Sequence, residues 1–302
     1  MNLPNSGVLD PYPTRGQAPA RIKRQEPVVV WPERVLTNRR HQLERFERNG
    51  FLFLPKLFQK QEVKELLEEA QRLRERAQNQ HFKAAFFEAG AEHVRSVFAV
   101  HQMSDVFKQA FTKPEVLDLV TDILGDEVYL HQTRLNYKPA FEGREFYWHS
   151  DFETWHAEDG MPRMKAVSLC ISLTPSLTTN GPLMLIPGSH EYFVSCVGRT
   201  PENHFKQSLV KQRYGTPDKA DITWLAQRRG IKAPVGAAGS ALIFDCNTMH
   251  GSCGNITPFS RINLFAVYNA VSNALQEPFC GTRARPESIA TREITKPLTR
   301  HV

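Results

Sequence analysis

The sequence lacks long hydrophobic runs, and no window approaches the roughly 18 consecutive apolar residues that a membrane-spanning helix requires. Residues 1–20 are polar and rich in proline, without the apolar core of an export signal. Cysteine is scarce. The five cysteines form an odd number with no CxxC pair, which disfavours a disulfide scaffold and favours reduced thiols. We therefore expect a cytoplasmic protein with no membrane partner.

Most of the chain also lacks an excess of charge of either sign, although the formal net charge is +6. Residues 1–48 hold nine Lys and Arg against five Asp and Glu, and residues 281–302 hold five against two. The remaining residues, 49–280, have a balance of −1. We interpret the first segment as an extended basic N-terminal arm and the last as a basic C-terminal tail, both solvated. This distribution argues against a nucleic-acid partner.

The spacing of apolar residues changes along the chain from helical to strand-like. Spacings of three and four predict one helix around 63–77 and a second that begins near Pro114 and ends at Gly125. Alternation with period two then predicts strands at 128–140, 166–174, 183–186, 241–244 and 262–268. The polar stretch 199–236 interrupts them, and we expect a helical insertion near the mouth of a barrel. Helices followed by strands predict a mainly β barrel or sandwich with flanking α-helices.

A candidate metal site begins with a His-x-Asp pair. His149 and Asp151 share a face of an extended chain, and His250 follows 99 residues after Asp151. Two imidazoles and one carboxylate form the facial triad of non-haem Fe(II) oxygenases, which leaves coordination positions open for a co-substrate and dioxygen. His-x-Asp alone is weak evidence in a chain with 11 histidines. Arg261, at the start of a predicted strand, strengthens it as a carboxylate clamp, with a surface charge as the alternative.

One face of the strand predicted at 128–140 carries four polar side chains, namely Gln132, Arg134, Asn136 and Lys138. Such a face either lines a polar cavity that binds a small ligand or faces solvent, as half-exposed strands commonly do. The sequence alone leaves both interpretations open.

The segment 146–162, FYWHSDFETWHAEDGMP, closely resembles the signature of the ectoine hydroxylases, bacterial enzymes of the phytanoyl-CoA dioxygenase superfamily. The stretches 180–190 and 239–250 resemble the wider superfamily, and the resemblance covers about residues 50–268. It implies a double-stranded β-helix (jelly-roll, cupin-like) core within a dioxygenase domain at 49–280, and a homodimer. The implied reaction converts L-ectoine, 2-oxoglutarate and O2 into 5-hydroxyectoine, succinate and CO2, a step in making compatible solutes.

The resemblance also implies roles for individual residues. It implies Fe(II) ligands at His149, Asp151 and His250. It implies 2-oxoglutarate contacts at Lys138 and Arg261. It implies ectoine contacts at Gln132 and Trp155, with Arg134 as a further candidate. An aromatic face such as Trp155 suits the delocalised cation of ectoine, although core packing is the commoner role for a tryptophan. One departure is Lys165, where the family pattern has arginine: the charge is kept but the planar fork is lost.

Other functions stay open at this point. A related dioxygenase would hydroxylate another small zwitterion, such as proline. A nucleic-acid demethylase or binding protein is suggested by the basic composition but would require basic and aromatic residues interleaved around the site. A non-catalytic cupin-like binding module is least favoured, because a pure binder needs neither an open iron position nor a 2-oxoglutarate clamp.

Overall fold

The computed structural model describes residues 10–88, 93–208, 215–293 and 295–301. The helices are α1 (Thr37–Asn49), α2 (Lys60–Gln80), α3 (Asp105–Phe111), α4 (Pro114–Leu124), α5 (Asp151–Thr154), α6 (Phe205–Ser208) and α7 (Lys219–Arg229). The strands are β1 (Arg21–Lys23), β2 (Phe51–Leu54), β3 (Ala85–Phe87), β4 (Val94–Phe98), β5 (Val128–Lys138), β6 (Phe146–His149), β7 (Ala166–Ser172), β8 (Leu183–Leu185), β9 (Tyr192–Val194), β10 (Ala241–Asp245), β11 (His250–Ser252) and β12 (Arg261–Ala270). A π-helical turn, Trp155–Asp159, follows α5. Across these described ranges, no helix has the length and apolar character needed to cross a membrane.

Helices cover one face of a seven-stranded antiparallel sheet, whose strand order is β2-β10-β7-β12-β5-β4-β3. Alternate residues of β7, namely Val167, Leu169 and Ile171, face these helices and share the main hydrophobic core with them. α4 begins at Pro114, where a missing N–H is tolerated, and ends at Gly125, whose φ of 60° suits a left-handed cap. The sequence predicts both of these boundaries correctly.

The opposite face of the large sheet packs on a smaller antiparallel sheet with the order β6-β11-β8. Cys170 and Phe265 from the large sheet share one apolar cluster with Leu185 from the small sheet. Two antiparallel sheets that face each other in this way form a double-stranded β-helix, or jelly roll. The predicted mainly β fold, with a jelly-roll core and flanking α-helices, is therefore confirmed.

A β-bulge at His131 changes which side of the sheet the alternating residues of β5 face. Leu130, before the bulge, packs with the helices on the outer side of the sheet, and the pairing with β12 skips His131. Gln132 and Lys138, beyond the bulge, are only 3% exposed, and Lys138 donates a hydrogen bond to Ser252 on the small sheet. The polar face of this strand therefore lines the space between the sheets, and the solvent-facing alternative is wrong.

The described parts of both basic terminal segments pack against the rest of the protein, so neither is solvated along its whole length, as the expected arm (1–48) and tail (281–302) would be. The first segment is not extended throughout, because α1 begins at Thr37. Arg24 is buried against Asp245 at 2.7 Å, and Arg285 is also buried. These arginines neutralise buried carboxylates far away in the sequence, which a count of charges cannot reveal. Residues 1–9, 294 and 302 lie outside the described residues.

The stretch 199–236 contains α6 and α7, as a helical insertion would, although 209–214 lie outside the described residues. α7 is held by Trp224, whose ring lies edge-on to Tyr192 of β9 at 5.1 Å and under the Arg21 guanidinium at 4.5 Å. Thr200, before α6, accepts a hydrogen bond from Arg15. The location of this insertion at the barrel mouth stays a prediction.

Candidate metal centre and active site

The small sheet brings the two candidate metal-binding histidines together. His149 ends β6 and His250 begins β11, and the two residues are directly paired across these antiparallel strands. Asp151 follows at the start of α5, where Phe152 N–H donates to the Cys246 carbonyl and anchors the turn. The ligand atoms of His149, Asp151 and His250 all lie within 4.8 Å of one another. The structure thus brings together the three residues that the sequence singled out.

Backbone carbonyls hold both imidazole rings in one orientation. His149 Nδ1 lies 2.7 Å from the Tyr147 carbonyl oxygen, and His250 Nδ1 lies 2.9 Å from that of Thr248. A carbonyl can only accept, so each Nδ1 donates a proton to it and each Nε2 is the nitrogen left to face a metal. The Nε2 atoms lie 3.7 and 3.9 Å from the two carboxylate oxygens of Asp151. All three donors therefore point at one position.

The protonation states also suit a cation. Burial, with the neighbouring His250, lowers the pKa of His149 to about 4, so its imidazole is neutral at pH 7. Burial alone would raise the pKa of the Asp151 carboxyl, but His250, Arg134 and His149 together hold it below its ordinary value. Two neutral imidazoles and one carboxylate are the donor set of Fe(II) facial-triad sites. Among the residues that the structure describes, no other group of three or more His, Cys, Asp or Glu is placed to hold a metal.

Two buried cations lie side by side near this centre. Arg261 of β12 and Lys138 of β5 are directly paired across the large sheet. Burial, followed by the charge of Arg261, lowers the pKa of Lys138 to about 7, and burial lowers the pKa of Arg261 to about 10. Lys138 Nζ donates to Ser252 Oγ at 2.9 Å and to the Cys253 carbonyl, while Arg261 Nε has no hydrogen-bond partner within the described ranges. Two adjacent cations without a carboxylate provide a site for an anionic ligand.

The three predicted substrate residues fall into two groups. Gln132 and Arg134 form one network, because Arg134 Nη1 donates to Gln132 Oε1 at 2.8 Å and Gln132 Nε2 donates to the Ile289 carbonyl at 2.7 Å. Trp155 lies in an apolar cluster and meets the His131 ring edge-on at 5.2 Å. Packing is thus the visible role of Trp155, and its contact with a substrate stays a prediction.

Comparison with known proteins identifies the family of this chain. The model of the family described as phytanoyl-CoA dioxygenase (PhyH) matches residues 46–263 of the chain. The chain belongs to this family. Within the family it is 48% identical to the ectoine dioxygenase of Bordetella bronchiseptica over 293 residues, which cover 96% of this chain and 95% of that protein. The ectoine dioxygenase of Stutzerimonas stutzeri is also 48% identical, with 96% of each chain covered.

Solved structures of other proteins share this fold. A crystal structure of EctD from S. alaskensis with 2-oxoglutarate and 5-hydroxyectoine has a TM-score of 0.87 and 41% identity, covering 97% of this chain and 98% of that one. The same protein with bound Fe has a TM-score of 0.85. The non-heme α-ketoglutarate dependent epimerase SnoN is 20% identical with a TM-score of 0.61, a likeness that extends to the fold alone.

Sequence reasoning missed an ion pair beside the metal centre of this family member. Arg285 Nε and Nη2 donate to the two carboxylate oxygens of Asp159 at 2.6 and 2.5 Å, and His131 Nε2 lies 3.3 Å from the same carboxylate. Burial alone would raise the pKa of Asp159, but Arg285 and His131 lower it to about 2. The available signal was the concentration of four acidic residues in 151–159 (Asp151, Glu153, Glu158 and Asp159), which requires cations nearby but does not identify them.

Lys165 keeps a pairing of its own, away from the metal ligands. Its ammonium donates to Asp126 Oδ2 at 3.1 Å and to Ser272 Oγ at 2.9 Å. Both contacts need only a point charge, so lysine can replace the arginine of the family pattern here. The departure noted in the sequence therefore does not disturb the iron site.

Proposed function

We propose that this protein is an ectoine dioxygenase, which converts L-ectoine, 2-oxoglutarate and O2 into 5-hydroxyectoine, succinate and CO2. One observation carries the proposal. A preorganised His149–Asp151–His250 triad lies in the same jelly roll as the unpaired cations Lys138 and Arg261, in a chain about 48% identical to curated ectoine dioxygenases over nearly its whole length. The product is a compatible solute, which places the enzyme in protection against osmotic and thermal stress.

The triad would hold Fe(II) through His149 Nε2, His250 Nε2 and the Asp151 carboxylate. When bound, the iron supplies the activation of O2, coupled to the oxidative decarboxylation of 2-oxoglutarate. One oxygen atom enters the new hydroxyl group of the product and the other enters succinate. With only three protein donors, a bound metal would keep coordination positions open for 2-oxoglutarate and O2.

Arg261 and Lys138 would bind the carboxylate of 2-oxoglutarate that is distant from its keto group. The Arg261 guanidinium offers a planar fork to the two oxygens, and Lys138 adds a compact charge beside it. Neither residue forms an ion pair with another part of the described chain, so binding the ligand breaks no internal salt bridge.

Ectoine is a small zwitterion with a carboxylate and a delocalised cation. Gln132 and Arg134 would bind its carboxylate, because the half-buried Arg134 guanidinium donates to the Gln132 amide and the two groups lie side by side. Trp155 would offer an aromatic face to the cation. These contacts fix which C–H bond faces the metal, so a single stereoisomer of the product is expected.

The deciding experiment incubates the protein with Fe(II), 2-oxoglutarate and ectoine and identifies the product by mass. The expected result is 5-hydroxyectoine and succinate in a one-to-one ratio, with a parallel reaction on free proline giving far less product. If the consumption of 2-oxoglutarate does not increase when ectoine is added, ectoine is not the substrate. If free proline is hydroxylated faster than ectoine, proline or a related amino acid is the better assignment.

We also propose that the enzyme acts in the cytoplasm as a homodimer. The reduced thiols expected from the cysteine pattern support the compartment, and the family resemblance supports the dimer. Light scattering of the purified protein checks the dimer, for which a mass of twice 34.5 kDa is expected.

A further inference from the structure

A buried ion cluster joins the N-terminal segment to the residues that follow Asp151. Arg15 donates from Nε and Nη2 to the two carboxylate oxygens of Glu153 at 2.6 and 2.8 Å, and Nη2 also reaches Glu158 Oε1 at 3.2 Å. The three side chains are between 1% and 4% exposed. Charges this deeply buried are tolerated only when they are paired. Arg15 and the two carboxylates therefore depend on each other.

The shape of the chain between the two carboxylates explains how one guanidinium reaches both. Glu153 and Glu158 are five residues apart, and on an ordinary α-helix they would point in different directions. Here the Trp155–Asp159 turn is π-helical, and the Trp155 carbonyl accepts from Gly160 N–H five residues later. A π turn holds more residues than an α turn, so a side chain five positions on returns near the same side. The π turn and the Arg15 pairing therefore favour each other.

The segment held in this way carries two residues of the proposed active site. Asp151 lies at its beginning, and Trp155 lies between the two glutamates. The Trp155 ring packs in an apolar cluster with Phe152 and meets His131 edge-on. If the part of the segment after Asp151 rotated, the Trp155 ring would move relative to His149 and His250, which are fixed on β6 and β11.

We infer that Arg15 is a positioning residue for the substrate: its bonds to Glu153 and Glu158 set the rotation of the 151–159 segment and thereby the placement of Trp155 relative to the metal. The inference rests on the proposed function, in which Trp155 contacts ectoine. Lys138 and Arg261 lie on strands of the large sheet, so the effect should fall on ectoine binding and spare 2-oxoglutarate.

The matched control is Arg21, which lies on the same N-terminal segment. Arg21 pairs with Asp221 and stacks on Trp224 of α7, and it makes no ion pair with the 151–159 segment. Arg21→Ala therefore loosens the N-terminal segment without removing the cation from Glu153 and Glu158. Any difference between Arg15→Ala and Arg21→Ala reports on the buried cluster itself.

The experiment compares the full-length unsubstituted protein with Arg15→Ala and Arg21→Ala in two measurements. Hydrogen exchange of the ligand-free proteins should show faster exchange over residues 152–161 in Arg15→Ala only. Steady-state kinetics should show a KM for ectoine raised about tenfold in Arg15→Ala, with the KM for 2-oxoglutarate changed less than about twofold and succinate formed in excess over hydroxyectoine. Unchanged exchange over 152–161, or an equal rise in both KM values, would overturn the inference.

A double variant separates positioning from stability. Arg15→Met combined with Glu153→Gln removes the carboxylate that takes two hydrogen bonds from Arg15, while Glu158 keeps its contact with His204 at 3.2 Å, so the melting temperature should recover part of the way towards that of the unsubstituted protein. The double variant still lacks the guanidinium that links positions 153 and 158, so we expect the KM for ectoine to stay raised. Full recovery of that KM would reduce Arg15 to a merely structural residue. If the unsubstituted protein does not hydroxylate ectoine, the proposed function fails, and hydrogen exchange still decides whether Arg15 holds the segment.

Discussion

His149 and His250 are oriented before any ion binds, because each Nδ1 donates to a carbonyl of its own strand region. The third donor is supported in the same way, since Ser168 Oγ donates to Asp151 Oδ2 at 3.3 Å. Binding a metal then costs little rearrangement. The residues of this centre are readable in the sequence, whereas their supporting carbonyls depend on strand pairing that a spacing of 99 residues does not specify.

Replacing one imidazole should therefore stop turnover. We expect His149→Ala to form no hydroxyectoine above the enzyme-free blank, because two protein donors do not hold Fe(II) at a workable concentration. The measurement is product formation together with Fe(II) titration. His41→Ala, on the exposed side of α1, is the matched histidine control and should keep full activity. Full activity of His149→Ala would refute the metal site.

The pair of buried cations predicts a pH dependence of 2-oxoglutarate binding. Lys138 has a pKa of about 7 in the ligand-free protein, so its charge is present below that pH and lost above it. A dicarboxylate prefers the charged form. The Kd for 2-oxoglutarate should therefore rise from pH 7 to pH 9, by at most about tenfold per unit, as calorimetry under anaerobic conditions can measure.

Substitutions at the same position provide the controls for this pH dependence. Lys138→Arg keeps its charge throughout the range, so its Kd should stay flat with pH. Lys138→Met should bind more weakly at every pH. If the Kd of the unsubstituted protein does not change with pH, the protonation of Lys138 does not affect 2-oxoglutarate binding.

At the scale of elements, periodicity predicts what regular packing dictates. The α4 boundaries and the alternation of β7 follow from the sequence, because a helix or strand with one buried face repeats its apolar residues at a fixed interval. The π turn at Trp155–Asp159 is invisible to such a pattern, since it depends on Arg15 from a distant segment. The bulge at His131 is also invisible to it, since it appears only in the pairing of β5 with the distant strand β12.

The end of the π turn depends on a glycine. Gly160 has φ +76°, and a β-carbon there would come within 2.0 Å of the Gln276 carbonyl oxygen. Gly281 has nearly the same φ, +73°, but nothing lies within 4 Å of such an atom. We expect Gly281→Ala to lower the free energy of unfolding by about 1 kcal/mol and Gly160→Ala by at least about 3 kcal/mol, as measured by denaturant titration. Equal losses would contradict the close backbone contact.

At the scale of the whole molecule, the two basic terminal segments each supply a cation to the region beside the candidate active site. Arg15 holds Glu153 and Glu158, and Arg285 holds Asp159 with two hydrogen bonds. Charge counting assigned both segments to solvent, because composition records the surplus of cations but not the buried acids that they neutralise. The jelly roll could be predicted from the chain, whereas this closure depends on contacts more than 120 residues apart in sequence.

Removing the C-terminal segment should therefore destabilise the folded protein. We expect deletion of residues 282–302 to lower the free energy of unfolding by at least about 3–5 kcal/mol, because Asp159 would be left buried without its cation. Thermal unfolding followed by circular dichroism measures this loss. Arg283→Gln, at an exposed position of the same segment, is the control and should unfold as the unsubstituted protein does. An intact melting temperature in the truncated protein would restore the solvated-tail interpretation.

The bond between Arg285 and Asp159 also sets an order of events during synthesis. Asp159 leaves the ribosome about 90 residues ahead of His250 and well over 100 ahead of Arg285, so a nascent chain holds an uncompensated acid until that arginine emerges. All three metal-binding side chains have been made by then. The donor set of the metal centre is therefore synthesised before the cation that compensates Asp159, and we expect the region around the centre to reach its final packing only when Arg285 is available.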